Sequence, residues 1–476
     1  MIKRRTKTKI IATIGPASMK KTVLRRMILA GMDLARINMS HGDHAQHREI
    51  IKNIRELSVE LRKPVGIILD LRGPKIRTGK LKGGSPVYLK RNSRIKITIR
   101  EIEGDQNIIS TTYKGLVRDV KIGDKILLDN GLIELRVVEK EEDSVVCKVI
   151  NGGFLGENKG INLPGVKISA PSLTDKDKKD IEFGVNNDVD YFALSFVRTA
   201  ENIKELKELI SSYGKQIPVI AKIEKPEAVK NIDEILKIAD AIMVARGDLG
   251  VEIRPEQVPG VQKSIIYKSI LANRPVITAT QMLESMTENP LPTRAEASDV
   301  ANAIYDGSDA VMLSEETAIG RYPVRAVQMM ARIALRAEKS PFMRYNLQPQ
   351  KEPEDIVYAV ARSAVNISQD VNSKAIMVFS VSGRTAKLIS RYRPKSPIFS
   401  FSPDIRVYNR LSLVWGINPL IVPSIQDAKR LLDEGEKIML QNGILRKGDL
   451  VIVVTGLALK AGSTNLIKIH RIGYED

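Results

Sequence analysis

The sequence predicts an α/β protein: a (β/α)8 TIM barrel with a small β-barrel lid domain inserted in one loop and a separate C-terminal α/β domain. Three observations carry this. Eight short runs rich in Val, Ile and Ala recur through the first two thirds of the 476 residues, most followed by an amphipathic segment of helix length. Eight such units close a barrel more readily than they extend an open sheet. Alternating, period-two patterning interrupts the third unit. Beyond residue 340 a stretch carrying Pro341, Pro349 and Pro353 precedes a fresh set of strand-like runs.

In chain order the expected barrel strands are 9–14, 33–38, 65–70, 190–195, 218–223, 240–244, 275–280 and 309–313. Helical patterns follow at 43–61, 200–212, 226–239 and 293–306. After Asp70 the pattern turns β-like, as in Arg94-Ile-Lys-Ile-Thr-Ile and Ser144-Val-Val-Cys-Lys-Val-Ile, and Asp129-Asn130-Gly131 signals a hairpin. Residues 75–168 therefore read as the inserted lid, hinged at Pro74 and Pro171. Residues 1–74 and 169–340 form the barrel, and 341–476 the C-terminal domain, with strands expected at 375–379, 398–401, 419–422 and 450–454.

Net charge is +19, yet the basic residues are scattered and only 4% of residues are aromatic. The charge suits a phosphorylated small substrate, and neither nucleic-acid nor membrane binding is expected. No apolar run approaches the roughly 18 residues of a spanning helix. The N-terminal apolar run is too short for a signal peptide, and the single cysteine, Cys147, fits a cytoplasmic protein.

Barrel enzymes place chemistry at the carboxyl ends of their strands. Here those ends carry Arg36, Asn38, Ser40 and His41; Asp70, with Arg72 and Arg77 beyond it; Lys222 and Glu224; Arg246, Gly247 and Asp248; Thr280; and Ser314 and Glu316. Lys222 and Glu224 lie two apart on a strand and so point to one face. Arg36, Arg77 and Lys222 supply positive charge, Glu224 and Asp248 carboxylates for a divalent metal, and Gly247 close backbone approach to an anion. That set suits phosphoryl transfer. A Mg2+-dependent enolate lyase or aldolase would share Glu224 and Asp248 without needing Arg36, Arg77 or a lid. A basic polyanion-binding protein would need none of them.

The chain resembles pyruvate kinase over almost its whole length. The motifs are Thr13-Ile14-Gly15-Pro16-Ala17-Ser18, Ala35-Arg36-Ile37-Asn38-Met39-Ser40-His41-Gly42, Leu69-Asp70-Leu71-Arg72-Gly73-Pro74-Lys75, Lys222-Ile223-Glu224, Ala245-Arg246-Gly247-Asp248, Thr278-Ala279-Thr280-Gln281-Met282 and Pro292-Thr293-Arg294-Ala295-Glu296. The resemblance implies transfer of a phosphoryl group from phosphoenolpyruvate to ADP, giving pyruvate and ATP, by a homotetramer. It implies that Lys222 and Arg36 contact the phosphoryl and that Glu224 and Asp248 bind Mg2+, or Mn2+ in its place. Gly247, Asp248 and Thr280 would hold the substrate carboxylate, and Thr280, Ser314 and Glu316 a protonating water chain. Asn38, His41 and Arg77 would serve the nucleotide.

Four positions depart from the family pattern. Lys75 stands where potassium-dependent members carry Glu, and Leu71 where they carry Thr. With Asn38, Ser40 and Asp70 these mark the monovalent-cation region, and Lys75 predicts that K+ is not required. Glu315 replaces a usual Gly, and Thr199 a usual Lys. In the C-terminal domain Ser380, Ser382, Gly383, Arg384 and Thr385 open a helix after a strand. The resemblance implies a phosphorylated effector there, although the closing loop at 456–465 departs from the usual pattern. His41, His44 and His47 drift around a helix at spacings that argue against zinc.

Overall fold

The computed structural model describes residues 6–169, 171–343, 345, 355–424, 427–456 and 464–474. Pro349 and Pro353 of the expected linker, and most of the 456–465 loop, lie outside them. Eight parallel strands close a barrel: Lys9–Ile14, Leu34–Asn38, Gly66–Asp70, Tyr191–Leu194, Val219–Ile223, Ala241–Ala245, Val276–Ala279 and Ala310–Leu313. Helices cover the outside and side chains fill the inside, so both strand faces are buried. Their sequences are accordingly near-continuous apolar runs.

Seven of the eight strands begin one residue later than the sequence predicts, and at four of them an aspartate is left outside. Asp33, Asp190, Asp240 and Asp309, read as strand heads, instead stand just ahead of the strands. Their carboxylates accept the backbone N–H of Ile10 at 3.0 Å, Ile67 at 2.8 Å, Val219 at 2.9 Å and Val276 at 3.0 Å on the neighbouring strand. Each also meets a basic side chain: Lys63 at 3.7 Å, Arg55 at 2.9 Å, Lys207 at 2.7 Å and Arg393 at 3.3 Å, in the same order.

The barrel interior is packed by residues such as Ile11, Leu34, Tyr191 and Met243, together with Leu413 from the C-terminal region. The Tyr191 hydroxyl donates to the Arg410 carbonyl at 2.9 Å, fixing this plug at the amino end. A Cβ on Gly66 would stand 2.7 Å from Ser412 Oγ, so the plug approaches that strand too closely for a side chain.

Helix starts follow their caps. Asp43 accepts from Gln46 N ahead of His44–Glu60, and Thr174 and Thr293 form reciprocal capping boxes with Asp177 and Glu296. The helix expected at 226–239 is two, Pro226–Lys230 and Ile232–Ile238, broken at Asn231. The Asn231 amide donates to the Arg198 carbonyl at 3.0 Å across the break.

The inserted region builds a six-stranded sheet and a two-stranded one around its own apolar cluster. Its hairpin joins Lys125–Leu128 to Ile133–Lys140, and Asp129, Asn130 and Gly131 all take positive φ (49°, 56° and 88°). The turn is four residues rather than two. Cys147 is buried in this cluster, which pushes its thiol up to about 12 and leaves it unreactive. The C-terminal region is a five-stranded sheet whose edge strand, Thr464–Arg471, runs antiparallel to Leu450–Gly456; the sequence reading did not anticipate it.

Candidate active site

The carboxyl ends of strands three, four and five converge on one ammonium, and strand two adds Arg36 beside it. Lys222 Nζ donates to Ser195 Oγ at 2.7 Å and lies 3.0 Å from Glu224 Oε1 and 3.3 Å from Asp70 Oδ1. Arg36 Nε donates to Asp70 Oδ2 at 2.7 Å, and its Nη1 to Thr13 Oγ1 at 3.0 Å. Asp70 and Glu224 are each 1% exposed. Burial alone would raise the Asp70 carboxyl, but Lys222 and Arg36 hold it below the ordinary range. Burial would likewise lower Lys222, and Asp70 and Glu224 reverse that, keeping it charged. Burial pushes Glu224 up, with the charge of Asp248 adding to the shift.

Asp248 stands in the first turn of helix Arg246–Glu252, about a third exposed, with Lys75 Nζ 3.6 Å from its Oδ1. It lines an open cavity of about 680 Å³ with Lys75, Gly247, Thr280, Ser314 and Glu316. Thr280 lies just past its strand at φ +67°, and Gln281 follows at +53°. That turn is strained for non-glycine residues. Arg246 holds it, donating through Nη2 to the Thr280 carbonyl at 2.6 Å and the Gln281 carbonyl at 3.1 Å, while Nη1 pairs with Asp299 at 2.6 Å. Gly247 N donates to Thr280 Oγ1 at 2.8 Å, so that N–H already has a partner. Glu316, 2% exposed and raised by burial, accepts from Ser314 N at 2.6 Å and Leu283 N at 3.0 Å. The Ser314 hydroxyl is buried with no partner among the described residues.

Other nominated residues sit around this centre. Asn38 Oδ1 accepts from Ser40 N at 3.1 Å, and the Leu71 carbonyl accepts from Ser195 Oγ at 2.8 Å. The His41 side chain is exposed. Arg77 Nη1 donates to the Asn158 carbonyl at 2.8 Å, and its Nε is buried without a partner among the described residues. A second cavity, about 530 Å³, is lined by Arg72, Lys75, Lys114, Arg118 and Lys176. His44 and His47 go separate ways, to Asp180 at 2.8 Å and the His41 carbonyl at 2.9 Å.

A strand-end ammonium held among buried carboxylates, beside a basic cavity, agrees with what the sequence comparisons find. A family profile described as pyruvate kinase, barrel domain, matches residues 5–327, and its alpha/beta domain matches 358–470. The chain belongs to the pyruvate kinase family. It is 47% identical to a pyruvate kinase of Geobacillus stearothermophilus over 472 residues, 98% of this chain and 80% of that one. It is also 47% identical to pyruvate kinase 2 of a Synechocystis strain over 470 residues, 98% and 79%. A crystal structure of a pyruvate kinase from Cryptosporidium parvum superposes with a TM-score of 0.91 at 39% identity, covering 98% of this chain and 96% of that one. Enzymes of this family are phosphotransferases.

Within the pyruvate kinase fold, several site residues escaped the sequence reading. Ser195 bridges Lys222 and the Leu71 carbonyl. Phe196, at φ +56°, donates its N–H to Glu224 Oε2 at 2.6 Å. Thr13 and Arg246 brace Arg36 and Thr280. Three residues also tie the inserted region to the barrel: Glu252 Oε1 accepts from Asn162 Nδ2 at 2.8 Å and Lys225 Nζ at 2.5 Å, all three buried. Thr199 is the N-cap of helix Ala200–Ser212. Glu315 is exposed at the cavity rim, and nothing in the structure explains it.

In the C-terminal region Gly383 takes φ +73° with Leu411 against it, a place only glycine fits. Ser380 Oγ caps Gly383 N at 3.1 Å, Thr385 Oγ1 meets Thr464 Oγ1 at 2.7 Å, and Arg384 pairs with Asp355 at 3.0 Å. Ser382 and Arg384 remain exposed. No helix among the described residues is long and apolar enough to cross a membrane.

Proposed function

We propose that this chain moves the phosphoryl group of phosphoenolpyruvate to ADP at the Lys222–Glu224–Asp248 end of the barrel, and that it does so without K+. The observation that carries the reading is Lys222 Nζ, held charged within 3.3 Å of both Asp70 and Glu224. A fixed ammonium there stabilises negative charge on the migrating phosphoryl and on the departing enolate without reorganising. Arg36, oriented by Asp70 and Thr13, adds a second donor. Gly247, Asp248 and Thr280 orient the substrate carboxylate.

Two carboxylates of opposite accessibility suit a hard divalent ion that completes its shell with substrate oxygens. Glu224 and Asp248 would hold Mg2+, or Mn2+ in its place, and the ion would neutralise phosphate charge. Glu316, Ser314 and Thr280 would support the water chain that protonates the enolate carbon. Asn38, His41 and Arg77 would position the nucleotide, with the basic cavity at Arg72, Lys114 and Lys176 receiving its phosphates. Residues 75–168 would close as a lid that excludes water and prevents hydrolysis. Barrel segments 1–74 and 169–340 and a C-terminal domain from 341 complete the proposed division.

K+ independence is supported by Lys75, whose ammonium lies 3.6 Å from Asp248 and would bring one fixed positive charge to the cation region that the resemblance assigns to Asn38, Ser40, Asp70 and Leu71. The exposed Ser382 and Arg384 support a phosphorylated effector at the 380–385 loop. A cytoplasmic homotetramer completes the reading. A coupled assay with phosphoenolpyruvate, ADP and Mg2+, run in K+ and in tetramethylammonium, tests it. ADP-dependent pyruvate release equal in both salts is the expected result. No turnover would sink the reaction, and a several-fold loss without K+ would sink the role of Lys75.

A further inference from the structure

We propose that a cleft between the barrel's amino end and the C-terminal region binds a small tetrahedral oxyanion, with inorganic phosphate as the ligand. Asn273 and Arg274 ahead of strand seven, Asp309 ahead of strand eight, and Lys387, Arg391 and Arg393 line it. Strands seven and eight present Thr280 and Ser314 at their other ends, so this cleft is separate from the active site. It is also separate from the 380–385 loop. Helix Arg384–Arg391 starts at that loop and ends at this cleft.

The guanidinium N–H donors here exceed their acceptors, although Arg391 lies over the Tyr358 and Tyr392 rings and Arg393 over Trp415. Arg391 is 5% exposed and Arg393 is 2% exposed. Arg391 Nε donates to the Ile270 carbonyl at 3.0 Å, and Arg393 Nη2 to the Gly307 carbonyl at 2.6 Å. Nη1 of Arg391, and both Nε and Nη1 of Arg393, are buried with no partner among the described residues. The carboxylates nearby are already engaged: Asp309 by Val276 N, Trp415 N and Arg393, Asp240 by Val219 N and Lys207, and Glu338 by Lys7 N and Thr8 N. Burial pushes the Lys387 ammonium down, and Arg274 and Arg410 crowd it further, while Asp240 opposes them. Buried guanidinium donors without acceptors are costly, and an oxyanion accepts several charge-assisted bonds at once. The carboxyl end of helix Arg384–Arg391 disfavours an anion, but that effect is weak beside several such donors. The space open to the centres of ligand atoms is about 20 Å³, enough for the oxygens of one compact ion and no more. It therefore selects a compact inorganic ion over a nucleotide or sugar ester.

The unfolding midpoint temperature of the full chain, followed against inorganic phosphate with chloride at matched ionic strength, tests this. Phosphate should raise the midpoint of the unaltered chain and of a Ser382→Ala/Arg384→Ala variant alike. Lys387→Met should need about tenfold more phosphate for the same rise, as loss of one charge-assisted bond implies, and Lys387→Arg should restore the response. The proposal is overturned if phosphate gives no specific rise, if Lys387→Met responds like the unaltered chain, or if the Ser382→Ala/Arg384→Ala variant loses the response. Should Lys387→Met fail to fold, Lys387→Gln is judged by the same criteria.

Discussion

At the amino end of the barrel, Asp33, Asp190, Asp240 and Asp309 each have a backbone N–H and a basic side chain as partners. At the carboxyl end, Asp70 and Glu224 share Lys222, Asp70 also takes Arg36, and Asp248 has Lys75 at 3.6 Å. The first arrangement satisfies each charge locally and joins strand to strand. The second leaves charges crowded and mutually dependent, beside a strained turn at Thr280 and an unpartnered hydroxyl at Ser314. The same strands thus carry a stabilising end and a reactive end. Groups left incompletely satisfied at one end are available to a ligand.

Lys222→Met should separate the two ends most sharply. Removing a preorganised charge from the reacting centre should lower kcat about 10³-fold in the coupled assay. Asp190→Ala should do the reverse, costing about 3 kcal/mol in urea unfolding, because Arg55 and the Ile67 N–H lose their acceptor, while kcat/KM stays within about twofold. Ser195→Ala should sit between them. It frees one side of Lys222 and should cost about tenfold in kcat, with the unfolding midpoint nearly unchanged; a lost midpoint instead would make Ser195 structural.

Acid sharpens the same contrast. The Asp70 carboxyl is lowered in the fold, so its contribution to stability is present above the ordinary value near 3.8 and fades as pH falls through the lower folded value. The stability difference between the unaltered chain and Asp70→Asn should therefore shrink below about pH 4. The smallest effect is expected from the salt: exchanging K+ for tetramethylammonium should change activity by less than about twofold.

Much of the barrel was legible because buried parallel strands must be apolar throughout, and eight such runs are hard to produce otherwise. Lys222, Glu224, Asp248 and Thr280 could be read as strand ends for the same reason. What could not be read depends on partners distant in sequence. Ser195 looked like the tail of a strand, and Arg246 like one more charge. Their roles arise only when strand five delivers Lys222 and the loop after strand seven turns its carbonyls inward. The four aspartates read as strand heads show the same limit: their partners lie on the neighbouring strand, on two helices, and at Lys63 and Arg393 in connecting segments. Strand Thr464–Arg471 was missed because Asn465, Lys468 and His470 interrupt its apolar residues and leave no sustained apolar run.

The plug at Leu413 also sets an order of events during synthesis. The last barrel strand ends at Leu313, and the residue that fills the barrel floor is made about a hundred residues later. At ribosomal rates of about 5 to 20 residues per second, the nascent barrel waits about 5 to 20 s with an apolar hole facing water. During that interval the barrel exposes the apolar surface that Leu413 later covers, and a chain released before residue 413 would carry every proposed site residue on a barrel with no floor.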